Sequence, residues 1–133
     1  MCIRDRAWVV KVIAALRDPR GLDLLEHALQ ADIAPSVRRS ATRGLADLEF
    51  SEDAAHDQLV RCFEGLFKAV RDDEWVVRYA AAYGLEQRLN SAAVSAHLAE
   101  QGRAALNQLA SDAEGVRVVQ LRALKALQRL NAG

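Results

Sequence analysis

The chain has 133 residues, with 18 Lys and Arg against 18 Asp and Glu, so its formal net charge at pH 7 is zero. Because positive charge is not in excess, the composition argues against binding to nucleic acid or anionic lipid. Hydrophobic residues make up 51% and aromatic residues 5% of the chain, and it contains only two prolines. This composition favours helices, excludes a disordered tail and argues against a β-sandwich. We therefore expect an all-α domain without membrane insertion.

Residues 1–6 (MCIRDR) match the translation of a transposon end that is used to prepare sequencing libraries. We expect them to be a sequencing-adapter scar, and the alternative is a genuine short N-terminus. On this expectation, residues 7–133 are the folded domain and form the C-terminal fragment of a longer protein. Cys2 then belongs to the scar, and the one remaining thiol, Cys62, suits a protein of the reducing cytoplasm.

Apolar residues at helical spacing predict seven helices. They cover residues 7–17, 20–31, 35–48, 52–71, 74–89, 92–110 and 114–130. Pro19 and Pro35 suit the first turn of a helix, where a missing N–H costs nothing, and Ser51 and Ser91 are predicted N-caps. Gly102 predicts a kink or a break in the sixth helix.

The chain repeats itself. Residues 32–45 and 72–85 share Asp, Val-Arg, Ala and Gly-Leu at a spacing of about forty residues, and a third copy begins at Asp112 and runs through Val116 and Arg117. A period near forty that contains two helices is typical of HEAT repeats. We therefore predict an α-solenoid, a right-handed superhelix of about three and a half HEAT-like helix pairs, with residues 7–133 as the HEAT-repeat domain.

The second helix of each repeat carries an apolar face at spacings of three and four residues. Its predicted members are Val37, Ala41, Leu45 and Leu48, then Val77, Ala81, Leu85 and Leu89, then Val116, Leu124 and Leu127. No helix pair buries such a face alone, so we expect the stacking of pairs to supply the core.

An acidic residue precedes the repeated arginine in each copy. The pairs are Asp32 with Arg38, Asp72 or Asp73 with Arg78, and Asp112 with Arg117. These arginines either form a row that binds anions or pair with the Asp at each turn, bond loop carbonyls and lock the repeats together. Their recurrence with the repeat favours the second interpretation.

The outward face of the second helices carries arginines and tyrosines. Its candidate ligand-binding residues are Arg39, Arg43, Tyr79, Tyr83 and Arg122. Second helices line the concave surface of such solenoids, and a guanidinium fork suits carboxylates whereas a phenol ring stacks on flat groups. The pattern predicts a site for a flat, conjugated, carboxylate-bearing ligand, and an ordinary solvated face is the alternative.

The remaining residues with reactive or aromatic side chains do not indicate a specific site. Trp75, at the start of a helix, either fills the gap between repeats or binds a partner. His27, His56 and His97 are out of register with the repeat and have no cysteine companions, so we expect no metal site. Cys62 lies beside apolar residues and is predicted to be a buried, inert thiol. The chain contains no P-loop, nucleophile elbow or dinucleotide fingerprint.

Two stretches resemble a known family. Residues 73–86 (DEWVVRYAAAYGLE) are similar to the W-x-VRYAA-x-x-GL segment of the HEAT-like phycobilisome (phycocyanobilin) lyase proteins of the E/F type from cyanobacteria. Residues 18–22 and 33–41 are similar to the preceding repeat of those proteins. The resemblance covers two of the three full repeats, and the third departs from it, with Gly115 where Trp75 would align.

The resemblance implies a phycobilin lyase subunit or bilin chaperone. Such a protein assists attachment, detachment or isomerisation of a linear tetrapyrrole at a phycobiliprotein cysteine, so phycobilin is expected as a substrate and no cofactor is expected to be bound permanently. The implied partners are a phycobiliprotein subunit and a second HEAT-type lyase subunit. Because the acceptor protein supplies the thiol, this chain needs only to position the pigment.

On this hypothesis Arg39, Arg43 and Arg122 hold the propionates, while Tyr79 and Tyr83 pack on the pyrrole plane. Glu86 is the one candidate for a catalytic role, because a carboxylate there would hydrogen-bond the pyrrole nitrogens. The main alternative is a non-catalytic HEAT-repeat scaffold for protein–protein interaction in phycobilisome assembly or degradation. A solenoid that processes nucleic acid is disfavoured by the neutral charge.

Overall fold

The structure is a computed structural model that describes residues 2–51, 55–91 and 94–133. All regular structure in these ranges is helical, which confirms the all-α prediction. The helices are α1 (Ile3–Leu16), α2 (Leu22–Ala31), α3 (Pro35–Asp47), α4 (Ala55–Val70), α5 (Trp75–Leu89), α6 (Ala96–Ala110) and α7 (Arg117–Ala132). A 3₁₀ turn, Pro19–Gly21, leads into α2. None of the described helices is long and apolar enough to cross a lipid bilayer.

Prolines begin two of the elements, as predicted, because the fixed φ of proline suits the first helical position. Pro19 opens the 3₁₀ turn and Pro35 opens α3. The predicted cap at Ser91 is wrong, because that residue follows the end of α5 and Ser95 caps α6 instead. The Ser95 hydroxyl accepts a hydrogen bond from the backbone N–H of Leu98 at 3.3 Å.

The predicted starts of the fourth and sixth helices, at residues 52 and 92, lie outside the described residues, as does the turn that Ser51 was predicted to cap. The break predicted at Gly102 is wrong, because α6 continues through it. A Cβ atom at Gly102 would lie 3.0 Å from Cδ2 of Leu89. Glycine at this position therefore allows α5 and α6 to approach closely.

The helices form two layers. The second helices α3, α5 and α7 pack side by side with α1 ahead of them, and the first helices α2, α4 and α6 form the other layer. Each first helix packs against the second helix of its own pair, which gives three pairs preceded by a single helix. This arrangement confirms the predicted solenoid of about three and a half pairs. Core side chains fill the space between the layers, among them the fully buried Phe63 and Leu66 of α4.

The repeated face of α3 and α5 is buried as predicted. Its fully buried members are Val37, Ala41 and Leu45 in α3 and Val77, Ala81 and Leu85 in α5.

The predicted register of the third copy is wrong. Helix α7 buries Val119, Ala123 and Ala126, whereas Val116 is its N-cap and Leu124 is 37% exposed. Val119 is the third residue of its helix, as Val37 and Val77 are of theirs. The turn before α7 is longer than the turns before α3 and α5, so the true repeat begins later than the local sequence match.

Arg38 joins the first full repeat to the second. Its Nη1 donates to the backbone carbonyls of Asp32 and Ile33, each at 3.0 Å, and its Nε and Nη2 donate to the carboxylate of Asp72 at 2.9 and 3.1 Å. The carbonyl contacts agree with the locking interpretation. The carboxylate, however, comes from the following repeat and not from the Asp at the same turn.

Arg78 makes the equivalent contacts one repeat later. Its Nη1 donates to the backbone carbonyls of Asp72 and Asp73 at 2.9 and 3.0 Å. Its Nε and Nη2 donate to the two carboxylate oxygens of Glu114, each at 2.8 Å. These hydrogen bonds hold the pKa of Glu114 below its usual value.

Arg6 occupies the same position in α1. Its Nε donates to Oδ2 of Asp32 at 2.8 Å, and this hydrogen bond lowers the pKa of Asp32. Arg6 belongs to residues 1–6, for which a sequencing-adapter origin stays a prediction. In the structure, this residue extends the row of interrepeat ion pairs to the first helix.

At the other end of the row, Gln120 takes the position of the repeated arginine. Its Nε2 donates to the carbonyls of Ser111 and Glu114 at 2.8 and 2.9 Å, as the arginines do at the earlier turns. Arg117 donates to the side-chain oxygen of Gln120 at 3.1 Å. The predicted pairing of Arg117 with Asp112 is therefore wrong, because α7 begins later than the local sequence match implies.

Candidate functional site

Three of the predicted ligand-binding residues meet on the face of the second helices. The guanidinium carbon of Arg43, on α3, lies 4.4 Å from the ring centroid of Tyr83 on α5. The guanidinium carbon of Arg122, on α7, lies 6.0 Å from the same centroid. Both distances are within the usual cation–π range of about 6 Å. The stacking of repeats thus brings two cations and one aromatic ring into a single cluster.

The Tyr83 hydroxyl has a fixed partner. It donates a hydrogen bond to Oδ1 of Asp47, the last residue of α3, at 3.0 Å. Partial burial raises the pKa of Tyr83, and the hydrogen bond to Asp47 raises it further. The phenol therefore stays protonated at neutral pH, and its ring is held in place from α3.

A surface groove of about 490 Å³ lies between α1 and α3, beside this cluster. We call it the basic groove. Its lining residues are Lys11, Ala14, Ala15, Arg17, Arg39, Ser40, Arg43 and Asp47. Four of these side chains are cationic and one, Asp47, is a carboxylate. Arg43 belongs both to the groove and to the cation–π cluster, so the two features are continuous.

Lys11 and Arg17 were missed by sequence reasoning, although a signal for Lys11 exists. Lys11 lies five residues after Arg6, as Arg43 lies five after Arg38. Since Arg6 and Arg38 hold the same structural position, extending the repeat to α1 would have placed Lys11 in the row of Arg43. Arg17 ends α1, outside the repeated pattern.

The other predicted residues lie around this cluster. Arg39 is exposed and lines the basic groove. Tyr79 is half-buried against the core and makes an edge-on contact with Trp75, with ring centroids 6.5 Å apart. Trp75 itself is 44% exposed, at the start of α5. Tyr79 thus contacts Trp75 and the core, and Trp75 presents an aromatic surface to solvent.

Glu86 faces cations and not the groove. It is 3% exposed, and its Oε1 lies 2.8 Å from Nη1 of Arg122. These two atoms are buried and oppose each other without hydrogen-bond geometry, so charge attraction holds the contact. Oε2 of Glu86 lies 3.5 Å from Nη1 of Arg129. A catalytic role for Glu86 stays a prediction, and its observed contacts are those of an interhelical ion pair.

Cys62 is fully buried on α4, and its Sγ lies 3.6 Å from Nη2 of Arg88. Burial raises the pKa of the Cys62 thiol to about 11, which makes it a poor nucleophile at neutral pH. Among the described residues, no group of three His, Cys, Asp or Glu side chains is placed to hold a metal ion.

Known proteins are similar to this chain over most of its length. Residues 5–31 match the family model described as PBS lyase HEAT-like repeat. The chain is 53% identical over 126 residues to the bilin biosynthesis protein RpcF of Synechococcus sp. (strain WH8020), which covers 95% of this chain and 59% of that protein. It is 40% identical over 134 residues to the phycobilisome maturation protein of Synechococcus elongatus, which covers 96% of this chain and 62% of that protein. The chain therefore spans about three fifths of the length of these relatives.

Among solved structures, the chain resembles the complex of CpcE and CpcF of phycocyanin lyase from Nostoc sp. PCC7120. The TM-score is 0.76 at 33% sequence identity, over 91% of this chain and 70% of that chain. The structural similarity covers 91% of this chain, and the sequence similarity to RpcF covers 95% of it. The chain belongs to the family of HEAT-like repeat proteins that contains the phycocyanobilin lyase subunits.

Proposed function

We propose that this chain is a phycobilin lyase subunit that holds a linear tetrapyrrole while it is joined to a cysteine of a phycobiliprotein. It acts with a second HEAT-type lyase subunit. Relatives named as phycocyanobilin lyase subunits support the reaction, and the solved complex of CpcE and CpcF supports the two-subunit arrangement. The bilin is a substrate and is not a permanently bound cofactor.

The single observation that carries the proposal is the continuity of the Arg43–Tyr83 stack with the basic groove. A linear tetrapyrrole is a flat, conjugated body with two acidic side chains. A tyrosine ring offers the body a stacking surface, and guanidinium groups bind carboxylates through paired hydrogen bonds. The groove volume of about 490 Å³ lies within the usual range for small-molecule sites, about 300 to 1,000 Å³.

Positioning is the chemical contribution of this chain. In thioether formation, the S–H of the acceptor cysteine adds across a carbon–carbon double bond of the pigment, so a C–S bond forms and the proton moves to carbon. The acceptor supplies the nucleophile, which agrees with the burial and the raised pKa of Cys62. Holding the pigment in one conformation accelerates this addition by alignment and prevents unguided reaction.

The test is co-expression of the chain with a second lyase subunit, an apo-phycobiliprotein and the enzymes that make the bilin. We expect a red-shifted covalent adduct that fluoresces with zinc on a denaturing gel. Tyr83→Ala should abolish the adduct, whereas Tyr83→Phe, which keeps the ring and loses the hydrogen bond to Asp47, should retain most of it. Lys68→Ala, an exposed cation on α4, is the matched control and should behave as the native chain does.

Absence of an adduct, together with an unchanged absorbance of free bilin in the presence of the chain, would refute the proposal. Binding of the chain to a phycobilisome protein under those conditions would support the scaffold alternative. Exposed apolar side chains favour a scaffold that binds other proteins. Trp75 on α5 and Val118 and Leu121 on α7 are each between 44% and 48% exposed. Loss of a preformed adduct, with release of free bilin, would instead indicate detachment.

A further inference from the structure

We propose that the basic groove binds both carboxylates of the pigment, with Lys11 and Arg17 as binding residues in addition to Arg39 and Arg43. This inference rests on the proposed function and names the part of the substrate that the groove recognises. It makes the chain selective for the free diacid over neutral or esterified pigments.

The first argument is the charge distribution in the groove. Its lining side chains bring four cations together with one carboxylate, Asp47. Oδ1 of Asp47 already accepts the hydrogen bond from Tyr83. Within the described part of the chain, Lys11, Arg39 and Arg43 form no ion pair with a carboxylate. The groove is therefore a cationic surface that an acidic ligand would neutralise.

The second argument is geometric. Lys11 and Arg43 occupy corresponding positions of α1 and α3, so they face the groove from opposite walls. Arg43 also stacks on Tyr83. In the proposed arrangement, the flat body of the pigment packs beside Tyr83 and its acidic side chains point toward the cations of α1 and α3. Two carboxylates require two separate cationic contacts, and the two helices supply them.

The third argument is the backbone of Arg17. This residue has φ 54° and ψ 25°, and it is the one non-glycine residue with positive φ among those described. Glycine is the usual residue at such a helix end, because a Cβ atom is strained there. The Arg17 side chain is 59% exposed and makes only a distant contact, 3.7 Å, with the exposed Glu49. Arginine thus occupies a position that favours glycine, and its side chain lines the groove.

The experiment measures binding of phycocyanobilin and of its dimethyl ester to the whole chain, by the change in pigment absorbance. We expect the diacid to bind at least about tenfold more tightly than the ester, because each charged hydrogen bond is worth about one decade or more. Lys11→Ala and Arg17→Gly should each weaken diacid binding by about tenfold and leave ester binding unchanged. Lys68→Ala, on the other layer, is the matched control and should bind both forms as the native chain does.

Arg17→Gly separates binding from folding. Because glycine adopts the left-handed conformation without strain, this variant should keep the native thermal midpoint or raise it. Weaker diacid binding in such a variant cannot then be attributed to unfolding.

The outcomes distinguish the two proposals. Equal affinity for diacid and ester, or native diacid binding by both variants, would overturn the groove assignment and leave the lyase proposal intact. Failure of the chain to bind either form, together with absence of the adduct in the co-expression test, would overturn the proposed function. The two variants could instead bind the pigment as the native chain does and no longer bind the apo-phycobiliprotein. In that case the groove recognises an acidic protein surface, and the assignment is wrong.

Discussion

At the scale of single residues, the face of the second helices is organised by charge. Tyr83 lies between Arg43 and Arg122, and its hydroxyl is fixed by Asp47. Arg122 is at the same time the counter-ion of the buried Glu86. An arginine whose charge is already compensated binds a second carboxylate less strongly than Arg43 does. If the chain binds the pigment as proposed, this difference places the pigment carboxylates on the α1 side of Tyr83 and not on the α7 side.

Replacing Glu86 tests this division of roles. Glu86→Gln leaves the Arg122 guanidinium, of which only 11% of the side chain is exposed, without its nearest carboxylate. We expect the free energy of unfolding to fall by about 2 to 4 kcal/mol, measured by chemical denaturation, because a buried charge loses its partner. The double variant with Arg122→Gln should recover part of this loss. Native stability combined with lost pigment transfer would instead support the catalytic role predicted from the sequence.

At the scale of elements, close helix packing depends on small residues. A Cβ atom at Gly84 of α5 would lie 2.6 Å from Cδ2 of Leu66 and 3.2 Å from Cβ of Ala46. The same position in α3, Gly44, would meet Ala14 and Leu25, each at 2.8 Å. Glycine recurs here because two neighbouring helices approach it at once, and not because the backbone requires an unusual φ.

Gly84→Ala should therefore destabilise the chain although alanine is the better helix former. Alanine gains about 1 kcal/mol in helix propensity, and overpacking of a full core costs about 1 to 3 kcal/mol. We expect a lower thermal midpoint in calorimetry. Gly115→Ala is the matched control, because no atom lies within 4 Å of its Cβ position, and it should stay within about 0.5 kcal/mol of the native stability. A Gly84→Ala chain as stable as the control would show that Leu66 moves aside freely.

At the scale of the whole molecule, the repeats are joined by ion pairs that cross from one repeat to the next. Arg6, Arg38 and Arg78 each donate to a carboxylate in the turn between the two helices of the following pair. The three acceptors are Asp32, Asp72 and Glu114. In a solenoid, each repeat contacts only its neighbours, so such contacts set how strongly adjacent repeats are coupled.

The coupling should weaken in acid. The pKa of Glu114 lies below its usual value of 4.5 in the folded chain because Arg78 donates to it. Its contribution to stability is therefore present above about pH 4.5 and is lost as the pH falls through the lower, folded-state pKa. Glu114→Gln should lower the free energy of unfolding by about 1 to 3 kcal/mol at pH 7, and the difference from the native chain should shrink below pH 4.5. A difference that is independent of pH would show that the charge of Glu114 contributes nothing.

The aromatic surface at Trp75 provides a test of assembly. Trp75 is 44% exposed and touches Tyr79 by its edge, so truncation should cost little folding stability. We expect Trp75→Ala to weaken the proposed complex with a second lyase subunit by at least about tenfold in calorimetric titration, because tryptophans are enriched among the residues that dominate interface binding energy. Trp8→Ala, which removes a 66% exposed tryptophan from α1, is the control and should bind as the native chain does. Equal binding by both variants would remove Trp75 from the interface.

How much of the site could be read from the sequence differs from residue to residue. Arg43 and Tyr83 hold corresponding positions in adjacent repeats, so the period alone predicted that they lie on one face, and the structure stacks them. The local sequence match predicts Arg122 from a third copy whose register is wrong. Arg122 still lies 6.0 Å from the Tyr83 ring centroid, because its long side chain compensates for the shifted position on α7. The repeated sequence pattern does not indicate Lys11 and Arg17, because α1 precedes the three full helix pairs in which the pattern recurs.

The sequence by itself determined the helices, their pairing and the buried positions of α3 and α5. These features depend on the spacing of apolar residues within a helix and on a repeat of about forty residues that is visible in the sequence. Only the tertiary structure decided which carboxylate each arginine meets. Arg38 is close in sequence to Asp32, but repeat stacking brings Asp72 to its guanidinium and leaves the Asp32 carboxylate to Arg6. Side-chain partners across a helix interface depend on the stacking distance and register of the repeats, and no local pattern encodes those quantities.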